Sequence, residues 1–148
     1  MPHEPVPTDQ EQYDELSIYT LSHSNASFIH QHIVDAYAAQ HAPVSQDDLS
    51  KPISVVFGLI GLYLHVEKGF TGRQVQKMHM QLAKRRRQWP RLTSPEIRAA
   101  FTVSDVLKAT PGEERDNAIH QWGMAVWESW QPQQQWIRQL AREELDIR

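Results

Sequence analysis

Apolar residues along this chain recur at three- and four-residue spacings, and no alternating stretch of useful length interrupts them. That period predicts helices and no strand. Thr8-Asp9-Gln10-Glu11 has the form of a capping box and opens a first helix running to about Leu21, with Leu16, Tyr19, Thr20 and then His23 at helical spacing. The small polar run Ser22 to Ser27 ends it and caps a second helix over about Ala26 to His41, stopped near Pro43. A third helix starts around Ser50 and Pro52 and reaches Lys68, where Gly69 can close it. Its stretch from Ile53 to Val66 is apolar almost all round, the mark of the most buried helix of a domain. One stripe departs from this: Ser54, Gly58, Gly61 and His65 fall within about sixty degrees of each other, and small residues there let another backbone come close.

Thr71-Gly72-Arg73-Gln74 is a second capping box, opening a helix to about Gln88 whose stripe is Val75, Met78, His79 and Leu82; Trp89-Pro90 ends it. Arg91 to Ala100 carries no readable pattern, and Thr102 to Ala109 reads as a short helix. Thr110-Pro111-Gly112-Glu113 combines a cap, a first-turn proline and a reciprocal glutamate. The helix it starts carries Ala118, Trp122, Ala125, Val126 and Ser129 along one side. Gln131-Pro132 kinks or breaks that helix before a last one with Trp136, Ile137, Leu140 and Leu145. The expectation is a flexible tail over residues 1–7, where three prolines fall. Residues 8–148 then form one all-α domain, a helical bundle of four or more long helices around a single core.

Composition narrows the chemistry. With no cysteine there is no disulfide, thiolate nucleophile or thiolate metal site. A net charge of −3 supplies no global positive field, and the one basic cluster, Lys84-Arg85-Arg86-Arg87, reads as the solvated end of a helix opposing its dipole. Nucleic acid is therefore not an expected partner. The longest apolar run, Val55 to Val66, is too short to span a bilayer and is broken by Gly58, Gly61 and His65, so no membrane is expected either. The residues from Met1 to Pro7 lack the basic region and apolar core of a signal peptide, and the expected location is cytoplasmic. A Gly-x-Ser-x-Gly nucleophile elbow is missing, and the glycines at 58, 61, 69 and 72 make no phosphate-cradling loop.

Histidine carries what chemistry remains. Residues 30–41 hold His30, His32 and His41 with Asp35 and Tyr37 on one helix. With His30 at zero, Val34, Tyr37 and His41 lie within about forty degrees of it, so His30 faces inward. His32 and Asp35 then fall on the other side as a surface pair three residues apart. His41, in the last turn, suits the helix dipole. Read across helices, His23, His30 and His79 are three imidazoles from three helices with Asp35 as the nearby carboxylate, a set able to bind a divalent metal such as zinc and leave a position open for water. Glu67, extending the Val56, Ile60, Tyr63 stripe, is the other carboxylate that could serve. Such a metal would acidify its water and permit hydrolytic or transfer chemistry on a small-molecule ligand. No His-Glu-x-x-His pair is present, so this set rests on stripe positions alone. The alternative is a non-catalytic module, self-associating as a homo-oligomer or binding another protein through Trp122, Trp127, Trp130 and Trp136 if these are exposed.

Several segments together resemble an uncharacterised bacterial family, a domain of unknown function. The first are Tyr19-Thr20-Leu21 with His23, and Phe28-Ile29-His30-Gln31-His32 leading into Val34-Asp35-Ala36-Tyr37-Ala38-Ala39-Gln40. Lys51-Pro52-Ile53, Gly61-Leu62-Tyr63-Leu64 and Thr71-Gly72-Arg73-Gln74-Val75-Gln76 with His79-Met80 follow. Trp89-Pro90, Val103-Ser104-Asp105-Val106-Leu107, Pro111-Gly112 and the Trp122 to Trp130 stretch complete it. The resemblance covers nearly the whole chain and brings no activity, fold or cofactor with it. The chain departs from it at Gly123, where similar sequences often place a cysteine, which weakens any thiol role at that position. Metal-binding bundles of the DinB-like superfamily offer an analogy of architecture for three histidines sharing a bundle core.

Overall fold

The computed structural model describes residues 7–22, 27–44, 54–85, 88–90 and 92–147. These residues form seven helices: α1 (Asp9–Ser22), α2 (His30–Gln40), α3 (Ser54–Val66), α4 (Gly72–Lys84), α5 (Val103–Lys108), α6 (Glu113–Ser129) and α7 (Gln131–Leu145). The fold is all-α, and the described residues contain no strand. Among them no helix is long and apolar enough to cross a membrane.

The start signals work in two ways. At α4 the capping box is complete: the Gln74 amide donates to Thr71 Oγ1 at 3.2 Å and the Thr71 amide to Gln74 Oε1 at 2.8 Å. At α6 the expected local cap is absent. Gly112 is the N-cap and its amide donates to the Tyr19 hydroxyl at 2.9 Å, so a side chain from α1 caps a helix ninety-three residues away. Pro132 does not kink a continuous helix; Trp130 ends α6 and simultaneously begins α7, with the proline in the first turn where its missing N–H is harmless.

α3 is the central helix, as its apolar run predicts: from Val55 to Leu64 every residue but Phe57 is buried. α2 packs along it, α6 lies against both, and α4 and α7 flank α3. The small stripe of α3 meets α2. A Cβ on Gly58 would stand 2.9 Å from the Asp35 carbonyl oxygen, so the two backbones approach as closely as side-chain-free contact allows. The segment 92–101, unreadable in sequence, is a strap over the end of α2. Arg98 donates to the carbonyl of Gln40 (2.6 Å), an open C-terminal acceptor of that helix, and to that of Ala42 (2.7 Å) just beyond it.

Trp122 and Trp130 are fully buried and Trp127 nearly so, which makes them core mass and not a partner surface. Trp122 Nε1 donates to Gln40 Oε1 at 2.8 Å, while Gln40 Nε2 donates to the carbonyls of Ala99 and Phe101. Trp122→Phe therefore leaves a buried amide oxygen unpaired. Urea unfolding should show a loss of about 1–3 kcal/mol from the unpaired oxygen, added to the cost of the smaller ring.

Candidate functional site

Three histidines meet at one end of the bundle. His32 comes from the first turn of α2, His65 from the last turn of α3 and His120 from the second turn of α6. They border a cleft of about 330 Å³ whose walls include Ile29, Phe70 and Ile119, with Asp116 and Thr71 at its polar edge. The wall formed by Ser27 and Ile29 is set by a glycine. A Cβ on Gly72 would stand 2.7 Å from the Phe28 carbonyl carbon and closer still to its oxygen, so only glycine lets this turn lie against the start of α4. The Arg73 amide then donates to Ser27 O at 3.2 Å.

The His32 and His65 rings stack at 3.6 Å between centroids and 21° between planes. Burial, with the neighbouring His65 and His120 imidazoles adding to it, holds His32 down to about 3, so the ring is neutral at any physiological pH. Its Nδ1 is buried with no partner. Burial also lowers His65, partly offset by its bond to the Phe70 carbonyl.

The hydrogen bonds fix the direction of the remaining pair. A carbonyl only accepts, so His65 Nδ1 carries the proton it gives to Phe70 O at 3.3 Å. In the neutral ring Nε2 is then an acceptor, and His120 Nδ1 must be the donor across the 3.1 Å between them. That leaves His120 Nε2 with a free lone pair on an exposed ring. Asp116 stands one helical turn before His120, and its Oδ1 accepts from the Tyr19 hydroxyl at 2.9 Å. Every polar group so fixed at the cleft presents an acceptor: a carboxylate and an imidazole nitrogen. Such a site can hold a donor group, accept a proton, or ligate a cation.

Of the set expected from sequence, the described members are His30, His79 and Asp35. His23 lies outside the described residues. His30 is half-buried and its Nδ1 meets Thr20 Oγ1 at 2.9 Å. His79 Nε2 donates to the Phe57 carbonyl at 2.8 Å, and its Nδ1 faces Gln31 Nε2 at 3.4 Å. Gln31 Nε2 also donates to Asp35 Oδ1 at 3.1 Å, and His79 Nε2 stands 3.8 Å from that oxygen. The structure thus joins His79 to Asp35 through Gln31 and ties His30 to α1 instead. Burial lowers His79 and pushes Asp35 well above the usual carboxylate range, favouring its neutral form, and Asp35 Oδ2 is buried without a partner. Among the described residues no three His, Asp or Glu side chains stand already arranged to hold a metal.

His32 and Asp35 are not the surface pair their spacing suggests. Both are buried, at 8% and 2% exposure, and each turns to a different neighbour, His65 and Gln31. The reason is that α2 contacts α1, α3, α4 and α6, which leaves it almost no wet face. Glu67 is not directed at the histidines either. It accepts from Arg138 at 2.7 and 3.0 Å and from Trp127 Nε1 at 2.7 Å, fastening α7 to the end of α3.

The family of unknown function DUF5946 matches residues 4–131. The chain belongs to DUF5946. No curated protein and no solved structure matches it. The matched span contains all three histidines of the cleft, together with Asp116 and the Phe70 carbonyl. In this DUF5946 domain Gly123 packs near the same cleft, the position of a Cβ there lying 3.8 Å from His65 Cδ2 in ordinary van der Waals contact. Sequence reasoning missed His65 and His120 as a pair. Their traces in the chain are His65 at the end of the small stripe of α3 and the acid–histidine spacing of Asp116 and His120 on one helix face.

Proposed function

We propose that this DUF5946 protein is a helical binding domain that takes a small organic molecule in the histidine-lined cleft. The sequence-based picture of a bundle with a histidine-lined pocket is kept, with His32, His65 and His120 as the histidines. The observation that carries it is the directed chain from the Phe70 carbonyl through His65 to His120, which holds a lone pair at the edge of an open cleft. A buried imidazole with an unpartnered nitrogen, stacked on a second that is hydrogen-bonded to a third, is an expensive way to build a plain helix junction. The cleft's volume of about 330 Å³ suits a ligand of small-metabolite size. Ile29, Phe70 and Ile119 offer contact to an apolar body, and Asp116 and His120 Nε2 favour an uncharged head that donates a hydrogen bond. No lysine or arginine is among the described residues lining the cleft, so a carboxylate or phosphate head has no counter-charge there.

Benzamide and benzoate, alike in size and opposite in head-group charge, test this on chelator-treated protein. Benzamide is expected to shift the ring resonances of His65 and His120 and benzoate to do so at least several-fold more weakly. Ser27→Trp, at the cleft wall, should block the benzamide shifts. If both fragments leave these rings unmoved, or move them equally in the Ser27→Trp variant, the cleft is not a binding site for this class of molecule.

A further inference from the structure

The hydrogen bonds running from His120 through His65 to the Phe70 carbonyl give both neutral rings the same sense. Each donates its Nδ1 proton toward Phe70 and keeps a lone pair on Nε2. His65 spends its lone pair on His120, whereas the lone pair of His120 stays free on an exposed ring bordering the cleft. A general base needs these features: one fixed tautomer, a lone pair within reach of a proton donor, and an acceptor behind the opposite nitrogen. His65 fills the place behind His120 that a carboxylate fills behind a catalytic imidazole. Its own bond to Phe70 stops the tautomer from reversing, and burial holds it below the ordinary imidazole range, so it stays a neutral acceptor. Asp116, one turn before His120 on α6, supplies a negative charge for the imidazolium that forms when Nε2 takes a proton.

We propose that His120 is the general base of a hydrolytic site for small uncharged carboxylic esters, with His65 as its positioning residue. His120 Nε2 takes a proton from a water molecule as the water oxygen bonds to the ester carbonyl carbon. The carbonyl electron pair moves onto its own oxygen, and its return breaks the bond from carbon to the alcohol oxygen. The proton held on His120 Nε2 passes to that oxygen. One ester and one water thus give one acid and one alcohol, and the ring ends as it began. The cleft selects the substrate class. An ester brings no donor of its own, so the attacking water makes the hydrogen bond that the His120 lone pair offers. Ile29, Phe70 and Ile119 take the apolar body. The product acid ionises, meets Asp116 with no lysine or arginine among the described lining residues, and leaves. The inference rests on the cleft reading above and adds the reaction of that same site.

Hydrolysis of 4-nitrophenyl acetate by the full chain, followed as nitrophenolate release, is the test. Wild type is expected to saturate with ester, to run slower in deuterium oxide, and to show no initial burst of nitrophenolate. His120→Ala should lower kcat/KM about a hundredfold. His41→Asn removes an exposed imidazole at the other end of α2 and should leave the rate unchanged. His65→Leu takes away the acceptor behind His120 and should lower kcat with little change in KM. His65→Gln, whose amide oxygen can accept the same proton, should recover most of that loss. Benzamide should inhibit competitively, and Ser27→Trp should abolish the saturable rate. A rate independent of His120, or a burst equal to the protein concentration, overturns the general base. A His65→Leu variant as fast as wild type overturns the positioning role. The two readings separate cleanly: benzamide shifts at His65 and His120 without His120-dependent hydrolysis sink the catalysis and leave the cleft, whereas loss of both sinks the two together.

Discussion

Gly61→Ala is expected to destabilise the protein by about 3 kcal/mol, the upper end of what an overpacked core costs. The new Cβ would stand 2.5 Å from Asp35 Cγ and closer still to Oδ2, and its three nearest atoms all belong to that carboxyl group. Asp35 has no room to retreat. It is 2% exposed, held at Oδ1 by Gln31, and its backbone carbonyl is already against Gly58. The collision disappears if the carboxyl does. In an Asp35→Ala background Gly61→Ala should be tolerated, or even stabilise by up to about 1 kcal/mol through the better helix propensity of alanine. A double-mutant cycle by urea unfolding reads this directly. An equal cost of Gly61→Ala in both backgrounds would show that the carboxyl does not fill the space beside the glycine.

Acid sensitivity is the second large effect, and His32 dominates it. Burial holds its folded-state value at about 3 against 6.5 for a free imidazole. Below 6.5 the unfolded chain takes up a proton that the folded chain refuses, so the stability His32 contributes is complete above that value. It drains away as pH falls toward 3. Between pH 7 and pH 5 the loss from this one ring is about 2 kcal/mol. Burial lowers His30, His65 and His79 in the same sense. Asp35 works against them: raised by burial, it contributes stability at acid pH that is lost as pH climbs through its folded value. His32→Phe keeps a flat ring on His65, removes the unpartnered buried Nδ1, and should flatten the fall between pH 7 and 5 while leaving neutral-pH stability equal or higher. Melting temperatures of metal-free protein at the two pH values suffice. A wild-type slope retained in His32→Phe would mean that this ring is not held neutral in the core.

How much of this was legible depends on the range of the interaction involved. The apolar run of α3 and the Thr71/Gln74 box are local, since their partners lie within four residues, and both appear where the sequence places them. The glycine stripe of α3 also foretold a close backbone, although not that α2 would be the one. α2 itself was misread. A helical wheel presumes one wet face, and α2 has four helices around it, so His32 and Asp35 changed from a surface pair to two separately buried groups. The cleft is least legible because its working bond joins residues fifty-five apart, His65 to His120, beyond the reach of any local pattern.

By itself the sequence determined seven stretches able to be helical, which of them is most apolar, and an unusual supply of histidine without cysteine. Periodicity and capping are written in residues three or four apart, so they survive without knowledge of the fold. Which imidazoles meet, which are stripped of water, and which carboxyl is pushed toward its neutral form were decided only by the packing of α2 against its neighbouring helices. Burial and facing neighbours are properties of the assembled helices, and a ring's chemistry follows from those surroundings far more than from its place in the chain.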